Sequence, residues 1–480
     1  SERRGIVSAM KGKKVLLVGL GILGGGIATA RFLLKQGARL TITDKRETAI
    51  LQPSIDKLPK DISYTIGKHI QKDFRDADIV VANPAVPRFG EWITYAENIG
   101  KTIYNDLTLF LLFFAHKKKE YIAITGTRGK TTSSLWISTF IPGSVLGGNI
   151  PEKALLRILS KRGNPFVLET SSFQLEYMVK GLQAPKVAFI TNLYQDHLNR
   201  HSTMEEYVRV KAQIFLNQTE KDYLVLNADN PWTKTFLSHK PQSRVYYISN
   251  KPFQKKQSGL YVKNGHIYFE EKGFAKKIGR SPYETEFENS NLLGALLVSF
   301  LYIRSKQEQV DVKKTDRMIW KELLSSVSSL PQAHMRREVI LKHNKLEVVN
   351  DSAGTSPEAT IALLDSYKHV PKKELFLITG GTDKQLDFTQ WARVISRSLL
   401  YSHVYFVSGS ATEKMKKALQ EKKTYMWQEY ETLERVVKEI ASLPGKKTIL
   451  FSPSSASFEK YKNEFDRGNL FVRLVRKLFQ

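Results

Sequence analysis

The sequence predicts an α/β protein of three domains with mostly parallel sheets: a Rossmann-like N-terminal domain, a central P-loop ATPase-like domain and a Rossmann-like C-terminal domain. Three observations carry this. The chain has 480 residues, about three times the ~150 typical of one domain. Short apolar runs alternate with amphipathic stretches in three successive blocks, the pattern of parallel strands covered by helices. Glycine-rich turns follow the first strand of each of the first two blocks, where doubly wound sheets bind ligands.

The first block spans residues 1–115. KVLLVG at 14–19 reads as a buried strand, ATARFLLKQG at 28–37 as a helix ended by Gly37, and RLTIT at 39–43 as the next strand, with Asp44 at its carboxyl end. LFLLFFA at 109–115 is far below the ~20 residues that cross a bilayer. It reads as a buried helix whose charged exit is Lys117, Lys118 and Lys119. The second block, 116–332, has strands at 121–125, 166–170, 187–192, 222–227 and 245–249. A hairpin over 259–278 turns at Asn264-Gly265, and helices follow near 290–304 and 314–325. The third block, 333–480, has strands at 346–351, 375–381, 404–409 and 448–453 with amphipathic helices between them.

Composition narrows the function classes. Hydrophobic residues at 41% exclude a disordered or collagen-like chain. The absence of cysteine excludes a disulfide framework, a thiolate zinc site and a cysteine nucleophile. A net charge of +27 predicts attraction to polyanions without choosing among nucleic acid, anionic lipid and phosphorylated small molecules. The basic residues are spread along the whole chain rather than gathered in a tail. The basic stretch SERRGIVSAMKGKK leads into no apolar signal segment, so a soluble cytoplasmic protein, a monomer with no nucleic-acid partner and no membrane span, is the expectation.

Two loops carry chemistry. Gly19-Leu20-Gly21-Ile22-Leu23-Gly24 follows a strand and opens a helix, with Asp44 at the end of the next strand. This is the dinucleotide fingerprint, in which backbone approaches phosphate and the acid binds a ribose hydroxyl. Gly126-Thr127-Arg128-Gly129-Lys130-Thr131-Thr132 lies between another strand and helix. Successive N–H groups there can cradle phosphates, Lys130 can neutralise their charge, and Thr131 can ligate Mg²⁺. Glu169 and the Asp196-His197 pair lie at the carboxyl ends of neighbouring strands, so Lys130, Glu169 and His197 can converge.

GTRGKTT, VLETSSFQLE, ITNLYQDHLNRH with YVRVKAQIF, NDSAGTSPEATIALL, GGTDKQLDF and LFSPSSASFEKYKNEFDRG occur in that order. Over about residues 13 to 475 the chain resembles the Mur ligases, most of all those that add D-glutamate to UDP-N-acetylmuramoyl-L-alanine. The resemblance implies ATP-dependent amide formation through an acyl phosphate in peptidoglycan precursor synthesis. It implies UDP rather than NAD at Gly19 and Gly21, with Asp44 and Arg46 at the uracil. Asn149, Ser171, Gln174 and His197 would line the UDP-sugar site. Residues Gly126 to Thr132, with Asn291, Arg336 and Asp351, would bind ATP. Lys130, Glu169, His197 and Lys211 would be catalytic. Two Mg²⁺ ions would be held by Thr131, Glu169, His197 and a carbamate on Lys211. Thr355, Lys384, Ser457 and Phe458 would bind the amino acid. The chain departs from the family in carrying Ala85, Ala353, Phe287-Glu288, Met335 and the order Asn463-Glu464-Phe465, which bears on the adenine and amino-acid contacts. Another Mur-type ligase with a different amino acid is the nearest alternative. A nicotinamide dehydrogenase would explain the first loop but leaves GTRGKTT and Lys211 without a role. A nucleic-acid-binding P-loop protein would account for the charge, although no basic stripe with interleaved aromatics is present.

Overall fold

The structure is a computed structural model that describes residues 10–479 apart from 23, 151–152, 197–199, 255–256, 284, 308–310, 332–334, 384, 421–426, 458 and 462. His197, Lys384 and Phe458 therefore lie outside the described residues. The chain divides into two compact units. One comprises residues 1–193, 203–281 and 290–330, the other 194–202, 282–289 and 331–480.

The first unit carries two sheets. β1 (Lys14–Val18), β2 (Arg39–Asp44), β3 (Ser63–Ile66), β4 (Ile79–Ala82) and β5 (Thr102–Asn105) form a parallel sheet in the order β3-β2-β1-β4-β5. The order reverses between β1 and β4, which opens a crevice at their carboxyl ends. The second sheet runs β14-β13-β12-β11-β10-β9-β6-β8-β7. Its strands are β6 (Tyr121–Thr125), β7 (Val145–Gly148), β8 (Phe166–Glu169), β9 (Val187–Ile190), β10 (Tyr223–Asn227), β11 (Arg244–Ser249), β12 (Gly259–Lys263), β13 (His266–Glu271) and β14 (Phe274–Arg280). Strands β6 to β12 are parallel, and β13 and β14 are added antiparallel at the edge.

The Asn264-Gly265 turn is present, with φ of 50° and 71°. A second turn at Lys272-Gly273 (52° and 84°) adds β14, which the single-hairpin expectation missed because Lys-Gly is a weak turn signal. Helix α1 (Gly25–Lys35) starts three residues before the expected Ala28. Its glycines weaken it intrinsically, but a Cβ on Gly26 would stand 1.9 Å from the Leu20 carbonyl oxygen, so only glycine lets the helix pack so close to the loop.

Helix α2 (Asp106–Phe114) is the apolar run LTLFLLFF, buried on nearly every side as such a helix must be. Asn105 caps it in a box with Thr108. Phe113 meets Phe32 of α1 edge-on at 5.0 Å, and Phe114 meets Phe166 of β8 at 5.0 Å, so one helix ties both sheets into a common core. Among the described residues no helix is long and apolar enough to cross a membrane.

The second unit holds β15 (Glu338–His343), β16 (Leu346–Asn350), β17 (Leu375–Thr379), β18 (Val404–Val407), β19 (Gln428–Tyr430) and β20 (Lys447–Phe451), in the order β15-β16-β20-β17-β18-β19. Only β15 is antiparallel. The expected α/β class with mostly parallel sheets is what the chain adopts.

Candidate functional site

Strands β8, β6 and β9 are neighbours, with Ile124 beside Glu169 and Thr125 beside Ile190. The sheet therefore brings together Glu169, the loop after β6, and Thr191-Asn192. Gly126 has φ 144°, and a Cβ there would lie 2.0 Å from Thr191 Oγ1. Gly129 has φ 76°, and its Cβ would lie 2.1 Å from Asn291 Oδ1. The loop thus has room for glycine alone at both places. Thr191 and Asn192 pin it from below. The Arg128 N–H donates to Asn192 Oδ1 (2.9 Å), while Thr191 Oγ1 (2.6 Å) and Asn192 Nδ2 (3.1 Å) donate to the Arg128 carbonyl. The sequence reading did not single out either residue, although ITN at the end of a strand beside the loop strand was the available signal.

Past Gly129, helix α3 (Lys130–Phe140) begins at the loop. Lys130 Nζ reaches back to the carbonyls of Gly126 (3.0 Å) and Thr127 (3.1 Å). Lys211, on helix α4 (Met204–Ala212), is 1% exposed, and its Nζ donates to the same Gly126 carbonyl at 3.0 Å. It also reaches Thr125 Oγ1 at 3.3 Å and sits 4.8 Å above the Tyr207 ring. Arg128 is buried as well, and its Nε and Nη2 have no hydrogen-bond partner among the described residues. Lys130 and Arg128 of the loop and Lys211 of α4 thus gather at the start of helix α3, a concentration of positive potential suited to polyphosphate.

Thr131 Oγ1 donates to Glu169 Oε2 at 2.7 Å. These two oxygens are hard donors of the kind Mg²⁺ takes alongside phosphate oxygens, so the residues fit that ion. Thr132 is half-buried in the first turn of α3. Asn149 has an exposed side chain, and its N–H holds the Glu169 carbonyl at 2.8 Å. Loop, metal-type oxygens, Lys211, Asn149 and Asn291 all belong to the first unit.

The crevice between β1 and β4 is the second part of this unit's site. A Cβ on Gly19 would stand 3.0 Å from Val86 Cγ2 and 3.1 Å from Asn83 Cβ, so the first glycine loop and the Asn83 loop face each other. Asp44 is only 3% exposed and turns into this loop. Its Oδ2 accepts the N–H groups of Leu20 (2.9 Å) and Gly21 (3.1 Å), and its Oδ1 accepts that of Arg46 (2.9 Å). The fingerprint acid is thus spent on shaping the loop rather than left open for a ribose hydroxyl. The Arg46 side chain, half exposed and 3.4 Å from Asp44, stays accessible.

Gln174, expected at the UDP-sugar site, lies inside the first unit. It is 2% exposed, with Nε2 donating to Asp106 Oδ2 (2.9 Å), Oε1 accepting the Ser171 N–H (3.0 Å), and its carbonyl accepting Asn105 Nδ2 (2.9 Å). This side chain ties Ser171 to the start of α2. Asp106 is pushed up to about 6 because burial penalises its charge more than the bonds from Gln174 and Leu107 favour it. Its folded value lies above the unfolded one, so ionisation costs stability as pH rises from about 4 to about 6, and the cost stays constant above that. Asp106→Asn removes this cost. The melting-temperature difference, variant minus parent, is expected to be more positive above about pH 6 than below about pH 4, and a pH-independent difference would refute the assignment.

In the second unit the strand ends gather another set. Gly380, Gly381, Thr382, Ser457, Tyr461 and Arg467 line a cavity there. Arg467, on helix α5 (Glu464–Phe479), is 2% exposed and lowered to about 10 by burial, so it remains charged near neutrality. It donates to Ser352 Oγ (3.1 Å) and to the carbonyls of Ser352, Ser455 and Ala456, stapling the loops after β16 and β20 to α5. Ser457 is buried and Thr355 half-buried in the same unit. In the altered terminal segment, Asn463 Oδ1 accepts the Asp466 N–H at 2.8 Å at the start of α5. Asp351, expected at the ribose, is 3% exposed. Its Oδ1 accepts the Arg337 N–H (3.1 Å), its Oδ2 accepts Ser452 Oγ (2.8 Å), and burial raises its pKa against the opposing pull of Arg337 and Arg336.

Three family models match the chain: "Mur ligase MurD-like, N-terminal domain" over residues 13–105, "Mur ligase middle domain" over 124–299, and "Mur ligase, glutamate ligase domain" over 335–455. UDP-N-acetylmuramoylalanine--D-glutamate ligase of Borreliella burgdorferi is 35% identical over 486 residues, covering 98% of this chain and 100% of that protein. The ligase of the same name from Roseiflexus sp. is 33% identical, covering 97% and 99%. Among solved structures, UDP-N-acetylmuramate-alanine ligase MurC from Thermotoga maritima has a TM-score of 0.58 at 19% identity, covering 97% of this chain and 99% of its own. MurF ligase from Thermotoga maritima, solved in complex with ADP, has a TM-score of 0.55 at 15% identity, covering 98% and 97%. At those identities the structures speak for the fold alone.

Proposed function

The chain belongs to the Mur ligase family, and from that premise we propose that it is an ATP-dependent ligase adding D-glutamate to UDP-N-acetylmuramoyl-L-alanine in peptidoglycan precursor synthesis. The observation that carries the reading is the loop at 126–132, where Lys130 and Lys211 share the Gly126 carbonyl beside a Thr131–Glu169 oxygen pair. Such a site is built for a nucleoside triphosphate. It leaves a hydride-transfer reading of the first glycine loop without support.

The reaction makes an amide from a carboxylate, which is a poor acyl donor. Attack of the substrate carboxylate on the γ-phosphorus of ATP releases ADP and leaves an acyl phosphate. The amine of D-glutamate then attacks the acyl carbon, loses its proton and expels phosphate. The first step brings two anions together, and the loop amides, Lys130 and Arg128 lower that repulsion and hold the charge of the transferring group. Arg128 carries buried donors without a partner among the described residues, and phosphate oxygens satisfy them. Mg²⁺ held by Thr131 and Glu169 would supply further charge neutralisation at the phosphates. Asn291 lies against the loop at Gly129 and belongs to the same nucleotide site.

The crevice at Gly19 and Gly21 receives the UDP moiety, with Arg46 as its accessible cation, and Asn149 and Ser171 lie toward the sugar. Thr355 and Ser457 belong to the amino-acid site of the second unit. A carbamate on Lys211 completes the metal-binding set. Two ammonium groups on one carbonyl repel, and adding CO₂ to Lys211, with loss of two protons from its ammonium group, replaces that repulsion by attraction. A reaction that consumes ATP belongs in the cytoplasm.

The test is phosphate release from ATP and Mg²⁺. It is expected to require both UDP-N-acetylmuramoyl-L-alanine and D-glutamate, with L-glutamate inert. Release with another amino acid would keep the mechanism and move the substrate. No release under any combination would sink the reading.

A further inference from the structure

We propose that the sheet edge at β14 and the helix Val312–Ser325 beside it form a surface that docks this protein onto an anionic lipid leaflet. Phe274 and Met318 enter the headgroup layer, and the basic residues around them meet lipid phosphates. The inference is independent of the reaction proposed above and stands on contacts inside the first unit.

β14 is an end strand of the nine-stranded sheet. On β13, Phe269 packs against Phe300 (5.1 Å between ring centres) and Trp320 (5.4 Å), and Glu271 pairs with Arg304 at 2.9 Å. These side chains therefore point to the side of the sheet that carries the helices. Opposite residues of paired strands share a face. Lys276 stands opposite Phe269 and Phe274 opposite Glu271, so both belong to the helix side. A Cβ on Gly279 would lie 3.0 Å from Leu324 Cδ1, which sets the helix Val312–Ser325 directly alongside the strand. It does not cover Phe274, which is 84% exposed.

The helix buries Ile319, Trp320 and Leu323. At 3.6 residues per turn its opposite face carries Lys314, Arg317, Met318 and Lys321, all exposed, Met318 to 63%. A bare methionine thus stands within one turn of three cations. Of the acids on this helix, Asp316 is taken by Arg304 at 3.2 Å, which leaves Glu322. The adjoining segment 272–280, KGFAKKIGR, is basic and contains no acid. Lysine on an edge strand also keeps edges from pairing, but that role explains neither Phe274 nor Met318. Protein interfaces exclude lysine from their buried centres. A leaflet instead offers diffuse negative charge and a headgroup layer into which single apolar side chains sink. Charge complementarity therefore selects the leaflet as the occupant. Six strand spacings of about 4.8 Å separate β14 from β6, so the nucleotide loop lies about 29 Å away and docking leaves it clear.

The experiment sediments the full chain with vesicles of phosphatidylglycerol and phosphatidylcholine in equal parts, and with phosphatidylcholine alone. Binding is expected to the first only, and to weaken more than about tenfold when salt rises from about 0.1 to about 0.5 M. Each basic residue near an anionic surface contributes about fivefold, so Arg317→Gln with Lys321→Gln should weaken partitioning about twenty-fivefold. Lys372→Gln with Lys373→Gln removes the same charge from exposed lysines of the second unit and should change it less than about threefold. Equal losses in the two pairs would overturn the proposal, because net charge alone would then account for binding. Phe274→Ser should weaken partitioning about tenfold. The chain has no cysteine, so Phe274→Cys takes a single fluorescent label, which lipid brominated on its acyl chains is expected to quench. An unquenched label on bound protein would overturn the insertion, and no binding to the anionic vesicles would overturn the whole proposal. Protection of the label by RNA but not by vesicles would overturn it as well and assign the surface to nucleic acid. Melting temperatures of all variants should match the parent's, which separates lost docking from lost folding.

Discussion

Lys130→Ala is expected to lower kcat/KM for ATP by about a thousandfold, the upper range for removing one preorganised donor from a developing charge, while leaving the melting temperature close to the parent's. The amine donates to two loop carbonyls, at 3.0 and 3.1 Å, and lies half-buried at the first residue of α3. It supports no core. In the proposed reading the same short reach across the loop would put it beside the β- and γ-phosphates of ATP, where charge is redistributed as the phosphoryl group moves. Lys130→Arg should rescue little, because a planar guanidinium does not fit where a compact ammonium spans two adjacent carbonyls. Steady-state kinetics with calorimetric ATP binding checks this. Activity of the alanine variant within about tenfold of the parent would show that the loop does not hold the reacting phosphate.

The second large effect is at Lys211. If the residue acts as a carbamate, Lys211→Arg must fail as badly as Lys211→Met, since neither can take up CO₂, and both should lose about a hundredfold or more of kcat through weakened metal binding. If it acts as a plain cation over Tyr207, arginine should preserve much of the activity. The parent enzyme offers an independent readout. Stripping CO₂ from the buffer is expected to lower activity, bicarbonate to restore it, and intact mass at neutral pH to carry the mass of one CO₂. An active Lys211→Arg enzyme with no CO₂ dependence would rule the carbamate out.

Much of the site was legible because its signals are local. Gly126, Gly129 and Lys130 announce a phosphate loop by residue type and spacing, and the structure shows why two of those positions tolerate only glycine. The strand runs at 14–19, 121–125 and 375–381 were equally plain, since a buried parallel strand is a short unbroken apolar run. Helix starts were less so. Thr285, whose hydroxyl accepts the Glu288 N–H at 3.2 Å, begins its helix (286–304) before the expected 290. The backbone partners of the polar residues Asp44, Gln174 and Asp351 were not legible, for a shared reason. A carboxylate or amide at a strand end looks the same in sequence whether it faces a ligand or a backbone N–H, and here all three face backbone N–H groups.

By itself the sequence determined the class of fold, the order of the three blocks and the two glycine loops, because strand and helix periodicities and turn chemistry are properties of neighbouring residues. Only the tertiary structure decided which strand ends meet. Lys211 lies 85 residues from Gly126 yet donates to its carbonyl, and Thr191 and Asn192 brace a loop more than sixty residues earlier. Those meetings follow from the strand order β9-β6-β8, a long-range pairing that no local pattern specifies and that the burial of the whole sheet selects.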